Sequence, residues 1–272
     1  MVEGFLKGKS VVIAGAGSGV GRAAAELFAQ HGARLVCADI QAEWVEETVS
    51  AVKAAGGEAI AVTCDVSRKA DVVAAVAAAV KAYGRLDVIY NNVGIPSPKS
   101  ASGGMQDFAG NTEAQIEKLI AVNVKGVMHG CQAAVDQFRA QKGSDGVGGG
   151  VIVNTASAAG LMGWGGVLYG STKGAVVNLT RALAMEVAKE GIRVNAVCPG
   201  GMATRFVGLD PNNMPSGAAE RMGMSNPNGR IVEPLDAAYA ALFLASDVMS
   251  SSVTGANLPV DGGMSAGRPL GG

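Results

Sequence analysis

Tyr169 and Lys173 stand four residues apart at the start of a helical pattern, so their side chains share one helix face. A tyrosine hydroxyl ordinarily ionises near pH 10, too high for a base near neutrality, and an ammonium beside it lowers that value by stabilising phenolate. Such a pair can exchange a proton with the oxygen of an alcohol or a ketone. Ser157 ends the strand-like run Val151-Ile152-Val153-Asn154-Thr155-Ala156-Ser157 and so projects from the carboxyl edge of a sheet, where its hydroxyl can hold that oxygen. A tyrosine and a lysine on one face are also a common chance pairing, so the chemistry rests on what else the chain brings to them.

A second segment with chemical content is Ala14-Gly15-Ala16-Gly17-Ser18-Gly19-Val20-Gly21, which follows a strand-like run and precedes a helix opening at about Val20 to Arg22. Glycine permits positive φ and close approach of the backbone to a pyrophosphate, and a helix N-terminus offers unpaired N–H groups and a favourable dipole. The spacing G-x-x-x-G-x-G departs from the commoner G-x-G-x-x-G fingerprint, and a tight strand-to-helix turn would look similar. Asp39, at the end of the second strand, favours the dinucleotide: its carboxylate can accept hydrogen bonds from both adenosine ribose hydroxyls. The same charge would repel a 2′-phosphate, and neither Ser18 nor Ile40 nearby is cationic, so the expected cofactor is NAD and not NADP. Asp65, in Cys64-Asp65-Val66, can accept the adenine amino group or cap a helix. Asn91-Asn92-Val93-Gly94 ends the fourth strand and reads as an Asx turn or as a further cofactor contact. The expected cofactor wall thus takes in Gly15, Ser18, Gly19, Val20, Asp39, Ile40, Cys64, Asp65, Val66, Asn92, Val93 and Gly94.

These groups need a frame that carries them to one edge. Short apolar runs at 10–14, 33–39, 58–64, 86–91, 150–155, 192–198 and 257–260 alternate with helical patterns near 20–31, 42–55, 68–83, 111–140, 169–190 and 234–246. Several of the runs are continuous Val, Ile and Leu without polar alternation, as in parallel strands covered on both faces. The alternation predicts an α/β chain with a doubly wound, seven-stranded parallel sheet, right-handed crossovers and helices on both faces. No internal repeat or linker divides the chain, so one domain over 1–272 is expected.

Taken with the glycine motif, these residues resemble the short-chain dehydrogenase/reductase family over nearly the whole chain. The matching segments are Tyr169-Gly170-Ser171-Thr172-Lys173, the upstream Ser157, and Asn123 in Val122-Asn123-Val124. Asn91-Asn92-Val93-Gly94 resembles the family's Asn-Asn-Ala-Gly, and Pro199-Gly200-Gly201-Met202-Ala203-Thr204 resembles Pro-Gly-x-x-x-Thr. The resemblance implies a single Rossmann-type domain, an NAD-dependent oxidoreductase acting on the CH–OH group of a secondary alcohol, and a catalytic set of Ser157, Tyr169, Lys173 and Asn123. It implies that Tyr169 exchanges the proton, Ser157 orients and polarises the substrate oxygen, and Lys173 binds the nicotinamide ribose and lowers the Tyr169 pKa. The Asn123 carbonyl would hold a relay water. Pro199, Gly200, Met202 and Thr204 would join Tyr169 and Lys173 around the nicotinamide. A homotetramer is implied as well, with helices 111–140 and 169–190 in one interface and the C-terminal strand in another. Two features depart from the family pattern: Ala14 stands where Thr is frequent, and the loop 95–111 is longer than usual.

Several classes are disfavoured by bulk properties. With 22 Lys and Arg against 23 Asp and Glu, scattered along the chain, there is no basic stripe for nucleic acid or an anionic membrane. No stretch is long and apolar enough to span a bilayer, and residues 1–10 have no apolar signal-peptide core. Cys37, Cys64, Cys131 and Cys198 show no metal-ligand spacing and read as reduced core residues of a cytoplasmic protein. His31 and His129 have no partners at metal or triad spacing, so no metal is expected. Met162, Trp164 and Leu168, between Ser157 and Tyr169, border the substrate or pack ordinarily. Region 201–233 is the longest strandless stretch, and its methionines and glycines suggest a mobile lid over an apolar or cyclic substrate or, alternatively, permanent packing. The competing functions are a dinucleotide-sensing regulator of the same fold and an NADP-dependent ketone reductase. An epimerase or dehydratase would need a large C-terminal substrate domain that this sequence lacks.

Overall fold

The computed structural model describes residues 4–100, 104–142, 149–208, 217 and 226–267. Seven parallel strands form one sheet: β1 (Ser10–Ala14), β2 (Arg34–Asp39), β3 (Glu58–Thr63), β4 (Val88–Asn91), β5 (Gly150–Thr155), β6 (Ile192–Pro199) and β7 (Asn257–Val260). Their spatial order is β3-β2-β1-β4-β5-β6-β7. Val12 stands level with Val36 of β2 on one side and Ile89 of β4 on the other. The order reverses between β1 and β4, which opens a crevice beyond their carboxyl ends, the place where doubly wound sheets bind ligands.

Helices cover both faces. One face carries α1 (Gly19–Gln30), α2 (Ala42–Ala54) and α7 (Pro234–Ala245), whose Val20, Phe28, Val49 and Leu242 pack on Val11, Ile13 and Tyr90. The other carries α3 (Lys69–Tyr83), α5 (Gly126–Ala140) and α6 (Val167–Val187), whose Val76, Phe138 and Val176 pack on Val12, Ile89 and Ile152. The two cores account for the unbroken apolar runs: every residue of β1, β4 and β6 is buried. Each fully buried Val, Leu, Ile or Phe contributes about 1.5–3 kcal/mol.

The helix expected over 111–140 is not continuous. Thr112 and Gln115 form a capping box that starts α4 (Glu113–Ile120), and a five-residue π-helical segment, Ala121–Lys125, separates it from α5. The wider turn coincides with Asn123, which is fully buried. Its Oδ1 accepts from the Ile95 N–H at 2.8 Å, and its Nδ2 reaches the Ile95 carbonyl at 3.0 Å and Thr172 Oγ1 at 3.1 Å. The second long helix begins two residues earlier than expected and finishes in a 3₁₀ turn, Ala188–Glu190, closed by Gly191 in the left-handed region.

All four cysteines are free and buried, and burial pushes each thiol up to about 12. His31 stacks on Phe5 with ring centroids 5.1 Å apart, and His129 Nδ1 lies 2.9 Å from the Val66 carbonyl oxygen. No helix among the described residues is long and apolar enough to cross a membrane. About half of the region expected to act as a lid, 209–216 and 218–225, lies outside the described residues.

Arg193 ties β6 to the far end of α7. Its guanidinium is buried and donates to the Leu244 carbonyl at 2.8 Å, to Ser250 Oγ at 3.1 Å and to Asp247 Oδ1 at 3.2 Å, the last two on α8 (Asp247–Ser250). Arg193→Ala would strip several buried acceptors at once, and we expect it to lower unfolding free energy by about 3 kcal/mol. Urea denaturation checks this; a loss under about 1 kcal/mol would mean that water replaces the guanidinium freely.

Candidate active site

A single cleft of about 930 Å³ lies at the carboxyl edge of the sheet, within the size range of cofactor sites. Its walls include Gly15, Ser18, Gly19, Val20, Asp39, Ile40, Cys64, Asp65 and Val66 at one end, with Asn92, Val93, Gly94, Pro199, Gly200, Met202 and Thr204 also among the lining residues. Ser157, Tyr169 and Lys173 stand at the other. Asn123 does not line it and acts from behind through the contacts given above.

The glycine turn shows why this sequence is needed. Gly15 has φ +80°, and a Cβ there would sit 2.1 Å from the Asn92 carbonyl oxygen; a Cβ on Gly21 would sit 1.9 Å from the Gly15 carbonyl oxygen. Any side chain at either position would break the turn. Ser18 occupies the N-cap of α1 yet makes no capping bond, and the first turn of α1 has no acidic residue. The helix dipole therefore faces the cleft without a carboxylate of its own, which suits a pyrophosphate. Asp39 Oδ2 accepts from the Gly17 N–H at 2.9 Å and Oδ1 from the Gln41 N–H at 3.0 Å, which fixes the carboxylate at the cleft wall. Asp65 Oδ1 accepts from the Ser67 N–H and hydroxyl, and Asp71 accepts from the Asp65 N–H. The residues present fit a dinucleotide.

At the chemical end, Lys173 is buried and donates to the carbonyl oxygens of Thr155 at 2.8 Å and Val93 at 3.2 Å. Its Nζ lies 5.9 Å from the centre of the Tyr169 ring. Burial lowers the Lys173 ammonium to about 8. Burial also pushes the Tyr169 hydroxyl up to about 12, a rise partly offset by a hydrogen bond with the Ser157 side chain. The expectation that Lys173 lowers the Tyr169 pKa is thus corrected for the protein by itself. The cost of desolvating a phenolate outweighs an ammonium whose N–H groups are turned to two carbonyls. Tyr169 is held as a neutral phenol, ready to donate. Ser157 Oγ accepts from the Ala159 N–H at 3.1 Å and donates to the Pro199 carbonyl at 3.4 Å, a long bond that leaves the hydroxyl available to another acceptor.

Asn91 and Asn92 divide the two readings of their motif. Asn91 is buried and donates to Asn154 Oδ1 at 2.9 Å within the sheet, whereas Asn92 lines the cleft. Asn92 Nδ2 reaches the Gly15 carbonyl at 3.3 Å, and its Oδ1 accepts from Thr155 Oγ1 at 2.9 Å. Thr155 was legible as strand but not as part of the wall; its place two residues before Ser157 was the available signal. Trp44 and Arg205 also line the cleft without having been singled out. Of the three residues expected to border the substrate, Trp164 lines the cleft and is 41% exposed, Leu168 is buried, and Met162 is not among the lining residues.

Comparison with known proteins agrees with this geometry. A family model described as Enoyl-(Acyl carrier protein) reductase matches residues 15–265. The chain is 36% identical over 266 residues to a 2,5-dichloro-2,5-cyclohexadiene-1,4-diol dehydrogenase of Sphingobium indicum, covering 96% of this chain and 98% of that protein. It is 38% identical over 264 residues to levodione reductase of Leifsonia aquatica, covering 94% of each. Among solved structures, a 3-ketoacyl-(acyl-carrier-protein) reductase of Brucella melitensis complexed with NADH superposes with a TM-score of 0.84 at 34% identity, covering 96% of this chain and 99% of that one. With a family model matching residues 15–265 and relatives 36–38% identical over 94–96% of the chain, this protein belongs to the short-chain dehydrogenase/reductase family.

Proposed function

We propose that this chain is an NAD-dependent oxidoreductase that interconverts a secondary alcohol and a ketone on a cyclic, largely apolar substrate. The observation that carries the reading is the single cleft with Asp39 and the glycine turn at one end and Ser157, Tyr169 and Lys173 at the other. Bound at the first end, the nicotinamide cofactor supplies or accepts the hydride. The protein's own part is proton handling and orientation. Ser157 holds the substrate oxygen, and Tyr169 donates its proton to that oxygen as a ketone is reduced, or recovers it in the reverse direction. Lys173, fixed by Val93 and Thr155, positions the cofactor ribose, while Asn123 fixes the backbone after β4. Pro199, Gly200, Met202 and Thr204 flank the nicotinamide.

The substrate end supports the apolar class. Trp164, Met105 and Phe206 stand at its mouth with large exposed apolar surfaces, and a relative named for a cyclohexadienediol acts on a ring. Exposed Met128 and Met185 on α5 and α6 support a homotetramer joined through these helices, which sedimentation would check. The buried free thiols suit the reducing cytoplasm.

Cofactor choice rests on Asp39. With its carboxylate held toward the adenosine ribose, a 2′-phosphate would meet like charge at a cost of several kcal/mol. We expect kcat/KM with NAD to exceed that with NADP by at least ~10²-fold, and Asp39→Ala to narrow the gap. Equal efficiency with both cofactors, or an Asp39→Ala variant that gains nothing with NADP, would refute the assignment.

A further inference from the structure

Residues 204–206 form one short turn that reaches across the cleft. Thr204 is buried, and its Cγ2 would lie 3.6 Å from a Cβ placed on Gly19, so its side chain sits over the start of α1. Arg205 reaches the far wall, its guanidinium carbon 4.8 Å from the centre of the Trp44 ring in the first turn of α2. Phe206 turns the other way, its ring centroid 5.8 Å from that of Tyr169 at 56°. Trp44 itself borders the cofactor end, since its Cβ and Asp39 Oδ2 would each lie 2.9 Å from a Cβ on Gly17.

We propose that the Arg205–Trp44 stack is a latch that closes the cleft over the adenosine diphosphate half of the cofactor and sets its release rate. The inference deepens the function proposed above and rests on it. The turn follows β6 while Trp44 belongs to the opposite side of the cleft, so their contact bridges the opening between them. A guanidinium lying on an indole keeps its in-plane N–H groups directed outward, and those groups match the paired oxygens of a diphosphate. The latch therefore has two faces: an aromatic one that closes it in the free protein and an ionic one that engages when the cofactor is bound. Because Phe206 sits on the same turn, the contact at the adenosine end is mechanically continuous with the apolar wall at Tyr169.

The test is the rate of NADH release, followed by the loss of nicotinamide fluorescence when a preformed complex is chased with excess NAD. It is run on the full chain and on Arg205→Met, Trp44→Leu and the double variant. Arg205→Met keeps an apolar stem and is the variant least disturbing to packing. Each single variant is expected to release NADH about fivefold faster. The double variant is expected to be no faster than the faster single, because either change opens the same contact. Release within twofold of the parent for Arg205→Met, or effects that multiply in the double variant, would overturn the latch while leaving the function intact. Failure of the parent to bind NADH would overturn both.

Discussion

Replacing Tyr169 by phenylalanine is expected to lower kcat by about 10²–10⁴-fold while leaving NADH affinity nearly unchanged. The substitution removes one oxygen and keeps the ring, so the packing against Phe206 and the cation–ring contact with Lys173 survive. What is lost is the proton. Burial holds that hydroxyl near 12, so across the ordinary working range it is a protonated phenol, hydrogen-bonded to the Ser157 side chain. Steady-state rates with a ketone panel, set beside NADH titrations, separate the two quantities. A variant that kept more than about a tenth of its turnover would remove Tyr169 from the mechanism.

Lys173→Met should give the opposite separation: activity and cofactor affinity both fall, but stability barely moves. Charge-assisted hydrogen bonds are worth about 1.5–3 kcal/mol, so NADH should bind roughly tenfold to a hundredfold more weakly, with turnover falling at least about 10²-fold. For stability, two quantities oppose. The ammonium titrates near 8 in the fold against 10.5 ordinarily, so at neutral pH the folded state carries about 3 kcal/mol of strain from holding the charged form. The sign follows from proton binding: the unfolded chain binds the proton more tightly, so this group's contribution to stability rises as pH goes from about 8 to 10.5. Methionine relieves that cost but leaves the Val93 and Thr155 carbonyls short of a donor, at about 1–3 kcal/mol. Unfolding free energy at pH 7 should therefore stay within about 2 kcal/mol of the parent. A collapse of stability would mean that Lys173 is a structural pin, and its loss of activity could not then be read as chemistry.

β1, β2 and β5 were legible because their inner residues are covered on both faces and read as apolar runs; all three lie within a residue of where the pattern put them. β4 starts two residues late because Leu86 and Asp87, though buried, precede the paired stretch. The π segment at Asn123 left no trace in the apolar spacing, since one extra residue in a turn shifts the period by less than local composition varies. The direction of the Tyr169 shift was misread for a different reason. Sequence spacing placed the ammonium near the ring, but the two carbonyls that hold it come from β4 and β5 segments far away in the chain. Trp44 and Arg205 were missed on the same ground: each is unremarkable in its own stretch, and only the fold makes them neighbours.

The four buried thiols have a consequence for how the protein can be handled. With ionisation near 12, only about one thiol in ten thousand is thiolate at pH 8, and all but Cys64, which lines the cleft, are closed to a reagent in the folded chain. For Cys37, Cys131 and Cys198, alkylation can then proceed only through opening of the structure around each sulfur. Cys37 lies in β2, Cys64 just past β3, Cys131 in α5 and Cys198 in β6, so the set samples both sides of the sheet and three of its strands or strand ends. Cys37, Cys131 and Cys198 are thus built-in clocks whose labelling rates read local unfolding at their own addresses, with no probe to be introduced, while Cys64 reports on access to the cleft.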